Sequence, residues 1–114
     1  MNLTFTRKMW DIALPIAVLL VCSMPLYAKD DSATIFKDKC SVCHAGDGSG
    51  NTPAGKKLGA LDLRSPDVQK KTDAELFGFT KNGVGKTMPA YKDQLNDAQI
   101  KQLVTYIRGL AKKN

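Results

Sequence analysis

The sequence predicts an all-α domain, on three observations. No stretch alternates apolar and polar residues convincingly enough to read as a strand. Two segments open with a reciprocal capping pair, Thr72 with Glu75 and Asn96 with Gln99, which is the signature of a helix start. The last segment then repeats apolar residues at helical spacing, through Ile100, Leu103, Val104, Ile107 and Leu110.

Residues 1–28 are set apart as an export signal. Arg7 and Lys8 form a basic start, an apolar run goes from Ile12 to Leu20 and on to Leu26, and Ala28 precedes a charged segment. A membrane-spanning helix needs about 20 apolar residues, and Pro15 and Pro25 interrupt this shorter run. The expectation is cleavage after Ala28 and a periplasmic domain of residues 29–114, with no stable membrane insertion once the signal is removed. The alternative is an uncleaved N-terminal anchor facing the periplasm. Val21, where a small residue would precede a lipid-bearing cysteine, weighs against lipid attachment at Cys22.

Within residues 29–114, Asp30, Asp31 and Ser32 offer acidic and hydroxyl groups to the free amides of a helix start. The helix that follows places Phe36, Cys40 and Cys43 on one face. Gly46 to Pro53 is a loop by composition. Asp47, Ser49 and Asn51 partly match a calcium loop, but its sixth position lacks glycine and Leu58 stands where a glutamate is needed. Leu58, Leu61 and Leu63 fall in an irregular segment and read as a cover over something apolar. Ser65 with Pro66 caps a short helix through Lys71, and Thr72 opens a helix through Asn82 that Gly83 ends. Leu76, Phe77 and Phe79 give that helix its apolar side. Val84 to Tyr91 is a second loop, in which Pro89 keeps Met88 extended. Asn96 then opens the final helix.

Cys40-Ser41-Val42-Cys43-His44 carries the chemistry. C-x-x-C-H is the spacing at which two thiols can bond the vinyl groups of a haem while the adjacent imidazole reaches its iron. After Ala28 the chain holds two Cys, one His, one Met and no Trp. A disulfide is the ordinary reading of paired cysteines in an exported protein, and zinc is another, but a structural zinc site needs four ligands and only three Cys and His are available. A thioredoxin-like pair would require a βαβ pattern. Covalent haem remains, and it would also give a small domain the core and cross-link it otherwise lacks.

Met88 lies 44 residues after His44 and is followed by proline. A methionine more often fills a core gap, but beside a haem motif it reads as the second axial ligand. Iron held by His44 and Met88 has no open position, which favours electron transfer over catalysis, and such ligation raises the reduction potential. The chain has no second histidine to act as a general base, so it is not expected to be an enzyme. The alternative is a haem-based gas sensor in which Met88 is displaced, with Gly83 and Gly85 giving its loop mobility.

The net charge is +6 for the whole chain and +5 after Ala28. Lys37, Lys39, Lys56, Lys57, Lys86 and Lys92 flank the motifs and would steer redox partners with acidic docking surfaces. Export and the lack of a groove-reading motif exclude nucleic acid. A monomer is expected.

Together these residues resemble the class I c-type cytochromes, specifically the small exported bacterial monohaem members, over residues 31–112. The resemblance implies the cytochrome c fold, with three to five helices wrapped around one covalent haem c, the N- and C-terminal helices crossing, and a methionine from a late loop as sixth iron ligand. Phe36 matches the packing aromatic, Leu103 and Tyr106 the opposing positions, and Met88-Pro89-Ala90-Tyr91 the axial loop, which brings Tyr91 into the pocket. Pro53 resembles the residue whose carbonyl accepts the ring proton of the iron-bound histidine. Arg64 is placed beside a haem propionate, with an exposed arginine as the alternative. Ser32 or Ala33 stands where the family has glycine at the helix crossing.

Overall fold

The computed structural model describes residues 30–111; the export signal assigned to residues 1–28 and the last three residues lie outside the described part. Among the described residues the chain is helical, and its single β feature is an isolated antiparallel bridge between Val84 and Met88. The N-terminal helix is built from three consecutive segments, Ser32–Ile35, Phe36–Cys40 and Ser41–His44. Short helices Pro53–Leu58 and Pro66–Gln69 follow, then the longer Asp73–Asn82 and Asp97–Gly109.

The two long helices begin where the capping pairs place them. Thr72 accepts from the Glu75 amide while the Glu75 carboxylate accepts from the Thr72 amide, and Asn96 and Gln99 do the same. The Pro66–Gln69 helix is capped by Ser65 as expected but ends two residues before Lys71, because the chain must turn extended at Thr72 to cap the next helix. The Pro53–Leu58 helix is a departure from the sequence reading. Thr52 accepts from the Gly55 amide, Pro53 takes the first helical position, and Gly59 closes it at a left-handed φ of 70°. That is the signature recognised at Ser65 and Pro66; at Thr52 the glycine-rich run before it obscured it. Asp47 and Ser49 accept from the amides two residues on, at 3.0 and 3.2 Å, which makes their segment a chain of local turns.

The middle segment of the N-terminal helix is a π-helix. Its Ser41 amide reaches back five residues to the Phe36 carbonyl, the wider spacing of a π-helical turn. The Lys39 carbonyl accepts from the Tyr91 hydroxyl at 3.0 Å, so the end of the Met88 loop is fastened to the N-terminal helix.

The N-terminal and C-terminal helices pack together as the resemblance implies. Phe36, Ile100 and Leu103 are almost fully buried between them, with Ile35, Tyr91 and Leu95 around them. The Phe36 and Tyr106 rings lie 4.9 Å apart, centre to centre. Burying a side chain the size of Phe or Leu stabilises by roughly 1.5–3 kcal/mol, so this crossing is the mechanical centre of the domain. Ser32 is buried in the segment that meets the C-terminal helix, so this crossing accommodates a hydroxymethyl group. A second cluster of Val68, Leu76, Val104 and Ile107 extends the core under the short helices.

Candidate functional site

Each element contributes to one deep cleft of about 380 Å³, a size within the range of sites for small molecules and cofactors. The N-terminal helix supplies Cys40, Cys43 and His44; the segment after the Pro53–Leu58 helix supplies Ala60, Leu61 and Leu63; the Asp73–Asn82 helix supplies Leu76 and Phe79; the second loop supplies Met88 and Tyr91. Leu103 and Ile107 of the C-terminal helix form its floor. Leu58 also lines it, so the three leucines read as a cover do face one apolar space. The four residues assigned to haem attachment and iron ligation thus share a single cavity, although Met88 is distant from the others in sequence.

The donor set of this cleft fits a haem. Cys40 and Cys43 are free thiols. Burial, the largest influence, pushes the Cys40 thiol up to about 11, with Lys39 pulling it partly back, so it sits as a neutral thiol. The Nδ1 of His44 lies 3.2 Å from the Leu61 carbonyl. A carbonyl only accepts, so Nδ1 carries the proton and Nε2 keeps its lone pair for a metal. Burial lowers the His44 pKa and the Leu61 contact partly opposes it, which favours the neutral imidazole that a ligand must be.

Two of the weaker pocket candidates do not line the cleft. Pro53 does not line the cleft, and the carbonyl that orients His44 belongs to Leu61; Pro53 instead starts a helix, where its missing N–H is harmless. Nor does Arg64 line the cleft. Its guanidinium pairs with Asp62 at 3.0 Å and with Asp47 at 3.4 Å. A backbone carbonyl has no residue-type signature, so the role of Leu61 left no trace that composition or spacing could reveal.

Close approach of the backbone builds the rest. A Cβ at Gly55 would collide with the carbonyls of Cys43 and Gly50, so the Pro53–Leu58 helix can lie against the end of the haem motif only because residue 55 is glycine. Gly83 has a φ of 75°, and a Cβ there would meet the Met88 carbonyl. The Met88 loop is closed on itself by Val84 and Met88, whose amides and carbonyls pair at 2.9 and 3.2 Å. Of the lysines assigned to a positive ring, Lys39 lines the cleft and donates to Gln94, and Lys37, Lys56, Lys57, Lys86 and Lys92 are exposed.

Comparison with known proteins agrees with this architecture. The family described as cytochrome c oxidase, cbb3-type, subunit III matches residues 28–107. Cytochrome c6 of Picosynechococcus sp. (strain ATCC 27264 / PCC 7002 / PR-6) is 31% identical over 116 residues, covering 95% of this chain and 97% of that protein. The cbb3-type cytochrome c oxidase subunit CcoP of Azospirillum brasilense is 31% identical over 84 residues, and the match spans 73% of this chain but only 28% of the subunit. Among solved structures, the KustC0563 c-type cytochrome superposes with a TM-score of 0.67 at 29% identity, over 72% of this chain and 99% of that one. With Cys40 and Cys43 at the attachment spacing on an apolar cleft, the chain belongs to the cytochrome c family of the cbb3 subunit III and c6 type, electron carriers with covalently bound haem c.

Proposed function

We propose that this chain is a periplasmic monohaem cytochrome that carries one electron at a time, with Cys40 and Cys43 as the thioether attachments and His44 and Met88 as the axial ligands. The observation that carries the reading is the convergence of these four residues on one apolar cleft. The bound haem supplies a one-electron Fe(III)/Fe(II) couple. The chain's own residues hold and tune it. The Leu61 carbonyl fixes the His44 ring and its proton, the Val84–Met88 bridge sets the backbone of the methionine, and Leu58, Leu61, Leu63 and Phe79 shield the cleft from water.

With His44 and Met88 both holding the iron, oxygen and other small ligands would have nowhere to bind, which favours transfer over catalysis. The reduced, mature protein is expected to resist carbon monoxide at neutral pH and to show the methionine-to-iron absorption band when oxidised. Rapid and complete carbon monoxide binding would instead establish the sensor reading, in which Met88 leaves the iron. The domain works as a monomer after removal of residues 1–28, and exposed lysines steer it toward redox partners with acidic surfaces. Its transfer rate to such a partner should fall as salt rises; a flat response would remove the steering. Relatives that include subunit CcoP and the gluconate 2-dehydrogenase cytochrome c subunit of Pantoea cypripedii suggest a dehydrogenase or an oxidase as the partner class.

A further inference from the structure

Gln69 and Arg108 do not line the cleft, yet their side chains tie one of its walls to its floor. Arg108 Nη1 donates to the Gln69 carbonyl at 2.7 Å and Nη2 donates to the Lys71 carbonyl. Nε and Nη2 also donate to Asp73 Oδ1, at 2.9 and 2.8 Å. The Gln69 carboxamide in turn donates to the Leu63 carbonyl at 2.8 Å and to the Ile107 carbonyl at 3.0 Å. Their acceptors run through the segment that brings Leu63, Val68 and Lys71 to the cleft, and the donor Arg108 stands next to Ile107 of the floor.

That segment has little structure of its own. Its one helix, Pro66–Gln69, is four residues long, far below the length at which a helix persists without tertiary support. The Asp73 side chain is 76% exposed, so its ion pair with Arg108 contributes little by itself. The bonds to backbone carbonyls are the ones that fix position, because a guanidinium presents its donors in a rigid fork.

We propose that Arg108 and Gln69 are positioning residues that hold the Leu63–Lys71 wall against the C-terminal helix and thereby set the reduction potential of the haem. The inference rests on the haem occupying the cleft described above. Ferric haem carries one more positive charge than ferrous haem. A closed apolar wall disfavours the more charged form, and a loosened wall admits water and stabilises it.

The test uses the full-length holoprotein with Gln69→Leu, Arg108→Lys and the double variant. None of these changes the net charge, so a shift cannot be ascribed to a missing cation. In the double variant the Fe(III)/Fe(II) ratio at a fixed potential should rise about tenfold, a fall of about 59 mV for a one-electron couple. Each single variant should give a smaller fall, with the helical circular dichroism of the wild type retained. A wild-type potential in folded variants that merely melt earlier would overturn the proposal, since the pair would then only fasten helices. Should the double variant fail to fold, the single variants decide by the same criterion. Wild-type protein without covalent haem would overturn the underlying reading instead, and intact mass distinguishes that failure from the first.

Discussion

Two apolar regions of this domain use the same kinds of residue to opposite ends. At the helix crossing, Phe36 and Leu103 are each 1% exposed, because the chain supplies their partners in Tyr106, Ile100 and Ile35. At the rim of the cleft, Val42 is 64% exposed and Leu61 59%, and Leu58, Phe79 and Val84 stand out with them. Large apolar side chains gathered around one opening mark a ligand or partner site. The crossing is a core that the chain completes by itself; the cleft is one that a flat, largely apolar cofactor would complete. Phe36 and Leu103 belong to both, so a cofactor in the cleft would rest on the best-buried part of the core.

This contrast can be broken from the cleft side first. Replacing both Cys40 and Cys43 by alanine should abolish covalent haem, so that acid-acetone strips all pigment and the domain loses most of its cooperative thermal transition; retention of both would make the cleft self-sufficient. From the other side, Phe36→Ala should destabilise the folded holoprotein by about 3–5 kcal/mol in denaturant titration, while leaving haem covalently attached as judged by mass. A smaller cost would mean that haem, not the helix crossing, is the mechanical centre.

Tyr91→Phe probes the joint between the two regions. It removes the hydroxyl that reaches the Lys39 carbonyl and should cost about 1–3 kcal/mol for the unpaired carbonyl. Unchanged stability would indicate that water replaces the hydroxyl. The smallest effect is expected at the Thr72 cap, remote from both. Hydrogen bonds from the backbone and hydroxyl of Thr72 hold the Glu75 carboxyl below its usual range. The stability that this lowering provides is complete above about pH 4.3, the unfolded value. It is lost as pH falls through the folded value. Glu75→Gln should therefore flatten the acid limb of the stability profile without altering the visible spectrum, and an unchanged acid limb would discount the cap.

Much of this arrangement was legible residue by residue. Capping pairs at Thr72 and Asn96 located two helix starts because a cap is a contact between near neighbours. The stripe from Ile100 to Ile107 named the buried face of the last helix. What escaped was backbone conformation and one set of ion pairs. The helix at Pro53–Leu58 hid behind a glycine-rich run, the π-helical turn at Phe36–Cys40 changes no residue type, and Arg64 found its acids in Asp62 and Asp47.

The sequence by itself determined the all-helical class, the haem attachment motif and the identity of the single histidine and methionine after Ala28, because these depend on residue type and short-range spacing. Only the tertiary structure decided that the Leu61 carbonyl orients His44, that Tyr91 fastens the Met88 loop, and that Arg108 and Gln69 hold the cleft wall. Each of these is a hydrogen bond to a main-chain carbonyl far away in the chain. Every residue owns such a carbonyl, so only the fold can say which one is used.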